Sequence, residues 1–192
     1  MPPLILASTS VYRRELLGRL RLGFDCAAPG VDEAPVAAEG ARERAVRLAL
    51  AKAAAVAARQ PRSTVIGSDQ VAVCKGETLG KPGDAQRARA QLQWLSAATA
   101  TFHTAVAVLP PERGQALQFV DTTTVYFRAL SDMEIERYIA IEQPFDCAGS
   151  FRCEGLGISL FSRIGCEDPT GLIGLPLIAL SRALRQLGYE LP

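Results

Sequence analysis

Histidine and tryptophan are almost absent from this chain of 192 residues, with one of each, and aromatic residues make up only 6%. A serine or cysteine hydrolase that needs an imidazole base would therefore have to use His103. That residue lies in Thr-Ala-Thr-Phe-His-Thr-Ala-Val-Ala-Val, a run that reads as a strand. The five cysteines (Cys26, Cys74, Cys147, Cys153 and Cys166) form an odd set without a Cys-x-x-Cys, which fits reduced thiols rather than a disulfide frame or a zinc site. No apolar run approaches the roughly 18 residues of a membrane span, and the start Met-Pro-Pro-Leu-Ile-Leu-Ala lacks the basic segment of a signal peptide. These absences lead us to expect a cytoplasmic protein without membrane contact. Charge of one sign is not in excess either: 21 Lys and Arg oppose 20 Asp and Glu, for a net charge of +1. This argues against a uniformly basic duplex binder, and no stable nucleic-acid partner is expected.

What is present is the composition of an ordinary globular domain, 48% apolar and 21% charged. The length suits one domain over residues 1–192, and no linker or repeat divides it. The pattern predicts a buried strand at Leu4–Ala7, a polar turn at Ser8–Ser10 and a helix from Val11 to Leu20. Further strands are expected at Phe24–Ala27, Thr64–Cys74, Thr99–Leu109 and Leu117–Phe127, the last two as an antiparallel hairpin. Helices are expected in the alanine-rich stretch from Ala41, at Asp84–Leu95, from the capping-box sequence Ser131-Asp132-Met133-Glu134 to Ile141, and from Pro176 to near Gly188. The class is α/β.

Several residues stand out against this background. Asp69 sits between the apolar runs Val65-Ile66-Gly67 and Val71-Ala72-Val73, where a carboxylate must be solvated, paired or metal-bound. It reads either as a catalytic group or as a turn or strand-end aspartate. Lys52 lies on a helical face otherwise made of Leu48, Ala49, Ala55 and Val56, and is either a snorkelling lysine or a buried cation with a purpose. Lys81 follows Gly80 and precedes Pro82, so it is extended in a turn that a ligand's backbone-close groups can approach. Arg13 and Arg14 open the first helix just after Ser8-Thr9-Ser10, where free N–H groups, hydroxyls and guanidinium groups together suit phosphate. Glu33, beside Asp32 in an acidic loop, is a second candidate carboxylate for a metal.

Taken in order, Leu-Ala-Ser-Thr-Ser-Val-Tyr-Arg-Arg-Glu-Leu-Leu from Leu6, Val31-Asp32-Glu33, Lys52, Gly67-Ser68-Asp69-Gln70, Gly80-Lys81-Pro82 and Gly174-Leu175-Pro176-Leu177 resemble the Maf family of nucleoside triphosphate pyrophosphatases over nearly the whole chain. The family usually has proline where this chain has Val11. The resemblance implies an elongated mixed β-sheet flanked by helices, similar to inosine triphosphatases, with two lobes, a central nucleotide cleft and often a homodimer. It implies Asp69 as general base, Glu33 and Asp69 as ligands of a divalent cation (Mg2+, Mn2+ or Co2+), and Ser8, Arg13, Lys52 and Lys81 as substrate-binding residues. Tyr12, Gln70 and Glu154 resemble the specificity residues of the branch that hydrolyses 7-methyl-GTP to 7-methyl-GMP and diphosphate, and the Asp168-Pro169-Thr170 segment also suits that branch. A dTTP, UTP or other modified-nucleotide pyrophosphatase and a non-catalytic nucleotide-binding regulator of cell division remain alternatives. The near-zero net charge conceals an alternation that serves such a site. Four arginines stand against Glu15 in residues 1–24, four acids without a base fill 25–39, and six bases against Glu43 follow in 42–62.

Overall fold

The computed structural model describes residues 1–192, with residue 113 described by its backbone alone. Its elements follow in the order β1 (Leu4–Leu6), α1 (Val11–Gly18), β2 (Asp25–Cys26), α2 (Ala41–Ala57), β3 (Thr64–Cys74), β4 (Glu77–Leu79), α3 (Ala85–Leu95), β5 (Thr99–Leu109), β6 (Leu117–Phe127), α4 (Asp132–Glu142), β7 (Phe161–Gly165) and α5 (Leu177–Gln186). The strands form one mixed seven-stranded sheet in the order β2-β1-β3-β5-β6-β7, with β4 pairing on β3. β1 runs parallel to both β2 and β3, while β3–β4 and β6–β7 are antiparallel. β5 and β6 are neighbours, as expected of the two runs either side of Pro110–Gly114.

The chain folds into two compact units. The first comprises Met1–Gln70, His103–Asp121 and Asp168–Pro192. Its core is aliphatic: Leu4 and Leu6 of β1, Leu16 and Leu17 of α1, Ile66 of β3, Val106 and Val108 of β5, and Leu180 and Leu184 of α5 are buried together. Each such side chain removed from water contributes about 1.5–3 kcal/mol before entropy is counted. The second unit comprises Val71–Phe102 and Thr122–Glu167. Its core is aromatic, with Phe102, Phe127, Phe151 and Phe161 meeting edge to face at centroid separations of 4.9–5.6 Å. The helix packed there, α4, opens with the expected capping box: the Ser131 hydroxyl accepts from Glu134 N, and Glu134 Oε2 accepts from Ser131 N at 2.8 Å. These bonds from Ser131, with Arg128 nearby, hold the Glu134 carboxyl down at about 2.

Two strands escape the sequence pattern. β4 has three residues, and β7 is an edge strand of five whose Ser162, Arg163 and Gly165 face solvent. Ser68-Asp69-Gln70 does not interrupt β3, which runs through these residues to Cys74. Asp69 is therefore a mid-strand residue, and the turn or strand-end alternative is corrected. No helix among the described residues is long and apolar enough to cross a membrane.

Candidate functional site

The alternation of β3 sorts its polar residues onto opposite faces. Gly67 and Asp69 turn toward α2, and Ser68 and Gln70 turn toward the segment before α5. Gly67 is what allows α2 to lie against the strand, since a Cβ there would meet Ala53 N at 2.6 Å and Ala53 Cβ at 2.9 Å, besides Ala49 O. The close approach brings Lys52 of α2 onto the carboxylate of Asp69, with Nζ donating to Oδ1 at 2.6 Å. Both residues are only 6% exposed. Lys52 therefore does not snorkel. Its stem follows the apolar face beside Leu48, Ala49 and Val56, and its ammonium ends on two carboxylates, because Glu33 Oε1 lies 2.8 Å from the same Nζ.

Glu33 itself is exposed, but the loop that carries it is fastened to α2. Arg44 donates to the Glu33 carbonyl at 2.9 Å, and Arg47 donates to the Ala34 carbonyl at 3.2 Å while forming a two-pronged ion pair with Glu39 at 2.5 and 2.7 Å. Asp32 closes the loop locally by accepting from Ala34 N.

Burial raises the proton affinity of Asp69 above that of an ordinary carboxylate, with Lys52 and Arg13 pulling the other way and Glu33 adding to the rise. Burial likewise makes the Arg13 guanidinium less basic than usual, an effect opposed by the negative Asp69 and Glu33. Arg13 is half-buried on α1, whose N-cap is Ser10 accepting from Arg13 N, and no acidic residue occupies the helix's first turn. The Arg13 side chain donates through Nε to Gly174 O at 3.0 Å. Ser8 Oγ accepts from Ser10 N, and Ser8, Thr9, Ser10, Val11, Arg14, Cys26 and Ala28 line an open depression of about 220 Å³ at this end of α1.

Gln70 points its amide nitrogen at three oxygens: Thr104 Oγ1 at 2.9 Å, Gly171 O at 3.1 Å and Leu172 O at 3.0 Å. Three acceptors around one nitrogen fix the amide orientation, so Oε1 is the atom turned away from them. Ser68 donates to Gly174 O at 2.9 Å and Thr104 to Gly171 O at 2.9 Å.

Of the residues singled out in the sequence, the first unit gathers Lys52, Asp69 and Glu33 in one ion cluster with Arg13 in electrostatic reach, and it also holds Ser8, Tyr12 and Gln70. Tyr12 is half-buried on α1. Lys81 and Glu154 belong to the second unit. Lys81 is exposed just after β4. Glu154 is exposed too, with its Oε1 3.9 Å from Arg152 Nε and its Oε2 accepting from Cys153 Sγ; burial and that carboxylate push the Cys153 thiol up to about 12. Arg152 is also paired with Glu142 at 3.1 Å. Thr104 and the polar organisation before α5, where Asp168 is buried and fully hydrogen-bonded, are not evident from local sequence. An aspartate beside a proline and a threonine is the only signal there to read.

Comparison with known proteins places the chain in a family. A family model described as Maf-like protein matches residues 3–187. The chain is 59% identical over 192 residues to a 7-methyl-GTP pyrophosphatase of Xanthomonas axonopodis pv. citri, covering 100% of both chains. It is 51% identical over 190 residues to a 7-methyl-GTP pyrophosphatase of Cupriavidus pinatubonensis, covering 98% of this chain and 95% of the relative. Among solved structures, the Ham1 protein of Staphylococcus aureus aligns with a TM-score of 0.53 and 14% identity, covering 97% of this chain and 100% of the other, a likeness of fold alone. With the six ordered motifs, the ion cluster on β3 and α2, and a match that spans almost every residue, the chain belongs to the Maf family.

Proposed function

We propose that this protein is a nucleoside triphosphate pyrophosphatase that hydrolyses 7-methyl-GTP to 7-methyl-GMP and diphosphate. The observation that carries the chemistry is the buried Asp69 carboxylate, raised in proton affinity and set beside a buried lysine. A base with a raised proton affinity is better matched to taking a proton near neutral pH than a solvated aspartate is. In the proposed reaction a water attacks the α-phosphorus, Asp69 accepts its proton, and the bond from the α-phosphorus to the bridging oxygen breaks as diphosphate leaves. Lys52 uses two of its three N–H donors on Asp69 and Glu33 and offers the third to a phosphate oxygen. Arg13 keeps the fork of its two terminal nitrogens for the same purpose, and Ser8 adds a contact to the triphosphate; Lys81 is a further phosphate-binding residue on its family motif alone.

The carboxylates of Glu33 and Asp69 also suit a divalent cation. Lys52 contacts Asp69 through Oδ1 and Glu33 through Oε1, which leaves Asp69 Oδ2 and Glu33 Oε2 as the oxygens for a cation, and one or two carboxylates completed by phosphate oxygens and water is the usual environment of Mg2+. Among the described residues no group of three or more His, Cys, Asp and Glu side chains forms a closed metal cage, so the phosphates are needed to complete the coordination. When bound, the cation supplies polarisation of the phosphoryl oxygens.

The choice of base rests on the relatives' names and on the chemistry of three residues. Guanine presents adjacent N1–H and N2–H donors that the Glu154 carboxylate accepts together, and methylation at N7 adds a positive charge that Glu154 favours. Tyr12 stacks on the charged ring, a cation–π contact of about 0.5–2 kcal/mol. Gln70 contributes through the segment its amide nitrogen holds. The test is a panel of 7-methyl-GTP, GTP, dTTP and UTP assayed for diphosphate release with Mg2+, Mn2+ and Co2+. We expect 7-methyl-GTP to give the highest kcat/KM; preference for dTTP or UTP overturns the substrate assignment, and absence of turnover on every nucleotide overturns the enzymatic one.

A further inference from the structure

The segment between Asp168 and α5 supplies no side chain to the proposed chemistry, yet it is densely hydrogen-bonded. Asp168 is 4% exposed and uses both oxygens: Oδ1 accepts from Thr170 N at 3.0 Å and Thr170 Oγ1 at 2.6 Å, and Oδ2 accepts from Ile178 N at 2.6 Å. Thr170 Oγ1 in turn accepts from Leu177 N at 2.8 Å. One aspartate and one threonine thus satisfy two of the open N–H groups in the first turn of α5, where Pro176 at the N-cap offers no side-chain bond of its own. The backbone turns that follow are tied to the same pair, with Gly171 N donating to Asp168 O and Gly174 N to Thr170 O.

From this anchor the segment presents its carbonyls outward. Gly171 O takes Thr104 Oγ1, and Gly171 O and Leu172 O share the Gln70 amide. Gly174 O takes Ser68 Oγ and Arg13 Nε. Gly174 has φ +123°, and a Cβ there would stand 3.3 Å from Arg13 Nε, so glycine both permits the backbone conformation and clears room for the guanidinium. The segment whose Gly174 carbonyl fixes Arg13 is therefore held from both sides, by the start of α5 and by Ser68 of β3 and Thr104 of β5.

We propose that Asp168 and Thr170 are positioning residues for Arg13, holding the Gly174 carbonyl at the place that aims the Arg13 guanidinium fork at the triphosphate. The inference rests on the pyrophosphatase reading, in which that fork meets phosphate. A guanidinium bound through Nε to a rigid acceptor keeps its two terminal nitrogens in one plane and one direction, and positioning errors of about 1 Å can cost 10²-fold in rate. Orientation of a charge toward the transition state shows in kcat more than in KM.

Thr170→Val keeps the shape of the side chain and removes the hydroxyl that joins Asp168 to α5. Thr104→Val does the same at the opposite anchor, where the hydroxyl donates to Gly171 O and also accepts from the Gln70 amide. Both are measured by steady-state diphosphate release from the preferred nucleotide, with thermal melting to confirm folding, beside Thr170→Ser and in an Arg13→Ala background. We expect each valine variant to lower kcat about tenfold or more with KM within about threefold, Thr170→Ser to restore most of the rate, and either valine change to cost less than about threefold once Arg13 is alanine. A folded valine variant with unchanged kcat, or the same loss in the Arg13→Ala background as in the wild type, overturns the proposal; so does failure of Thr170→Ser to recover the rate. If the wild-type protein turns over no nucleotide, it is the pyrophosphatase reading that fails, and that result is separate from these.

Discussion

Replacing Lys52 by methionine removes, among the described residues, the cation in direct contact with the Asp69 carboxylate while keeping the volume of the apolar stem. Glu33, whose side chain is 56% exposed, turns to water at little cost. Asp69, at 6% exposure, cannot. Breaking a buried pair by deleting one partner typically costs about 3–5 kcal/mol. Asp69 has a way to limit that cost, which is to take up a proton. Its ordinary value is 3.8, so staying protonated at pH 7 costs about 1.4 kcal/mol for each of roughly three pH units, or about 4 kcal/mol. The two figures agree, and because burial already disfavours the charged form in the wild type, the expected loss lies toward about 3 kcal/mol at pH 7. The sign with pH follows. In Lys52→Met the folded-state proton affinity of Asp69 rises further, so the penalty grows between the wild-type and variant values as pH increases and shrinks by about 1.4 kcal/mol per unit as pH falls. Urea unfolding of both proteins at pH 5, 6, 7 and 8, in chelator-containing buffer so that no metal takes the ammonium's place, measures the slope. A penalty under about 1 kcal/mol at pH 8, a penalty independent of pH, or an equal penalty in an Asp69→Asn background would each refute the reasoning.

Asp69→Asn removes the proton acceptor while keeping shape, and since burial dominates at this site the neutral amide should unfold no more easily than the wild type at pH 7, while diphosphate release falls at least 10²-fold, a loss of roughly 3 kcal/mol in transition-state stabilisation. In the metal-free wild type the Asp69 carboxyl should titrate above the ordinary carboxylate value of 3.8, followed by NMR of its side-chain carbon; a titration at or below 3.8 means that burial does not dominate at this site. Gly67→Ala forces a Cβ against the backbone of Ala49 and Ala53, so it should destabilise by about 1–3 kcal/mol in urea unfolding and reduce activity in the fraction that still folds; an unchanged midpoint would mean that α2 is free to withdraw from β3.

The long elements are legible in the sequence because their signals are local. Ser131 and Glu134 announce α4 by a bond pattern contained within four residues, and β3, β5 and β6 each carry eleven residues of strand-forming sequence. β4 and β7 are not, because three residues, or five with a terminal glycine and an exposed face, give no periodicity to read. Asp69 and Lys52 are each conspicuous as charges among apolar neighbours, but nothing local joins residues separated by 17 positions; the family motifs point to both, and the missing side chain of Gly67 lets them meet. Gln70 is legible as a residue of interest, whereas the commitment of its nitrogen to Gly171 and Leu172, about a hundred positions away, is not. Asp168 and Thr170 stand out only as part of a family segment, since a cap for a helix seven to ten residues further on looks in sequence like any polar turn.

The bonds from Arg44 and Arg47 to the Glu33 loop give α2 a mechanical character. The helix bears the ammonium of Lys52 on one turn and, through its arginines, carries the loop of the opposing carboxylate as cargo. Of the two carboxylates on that ammonium, one belongs to a loop fastened to the helix and the other to the sheet, so the Asp69 contact is the one that ties α2 to β3 by charge.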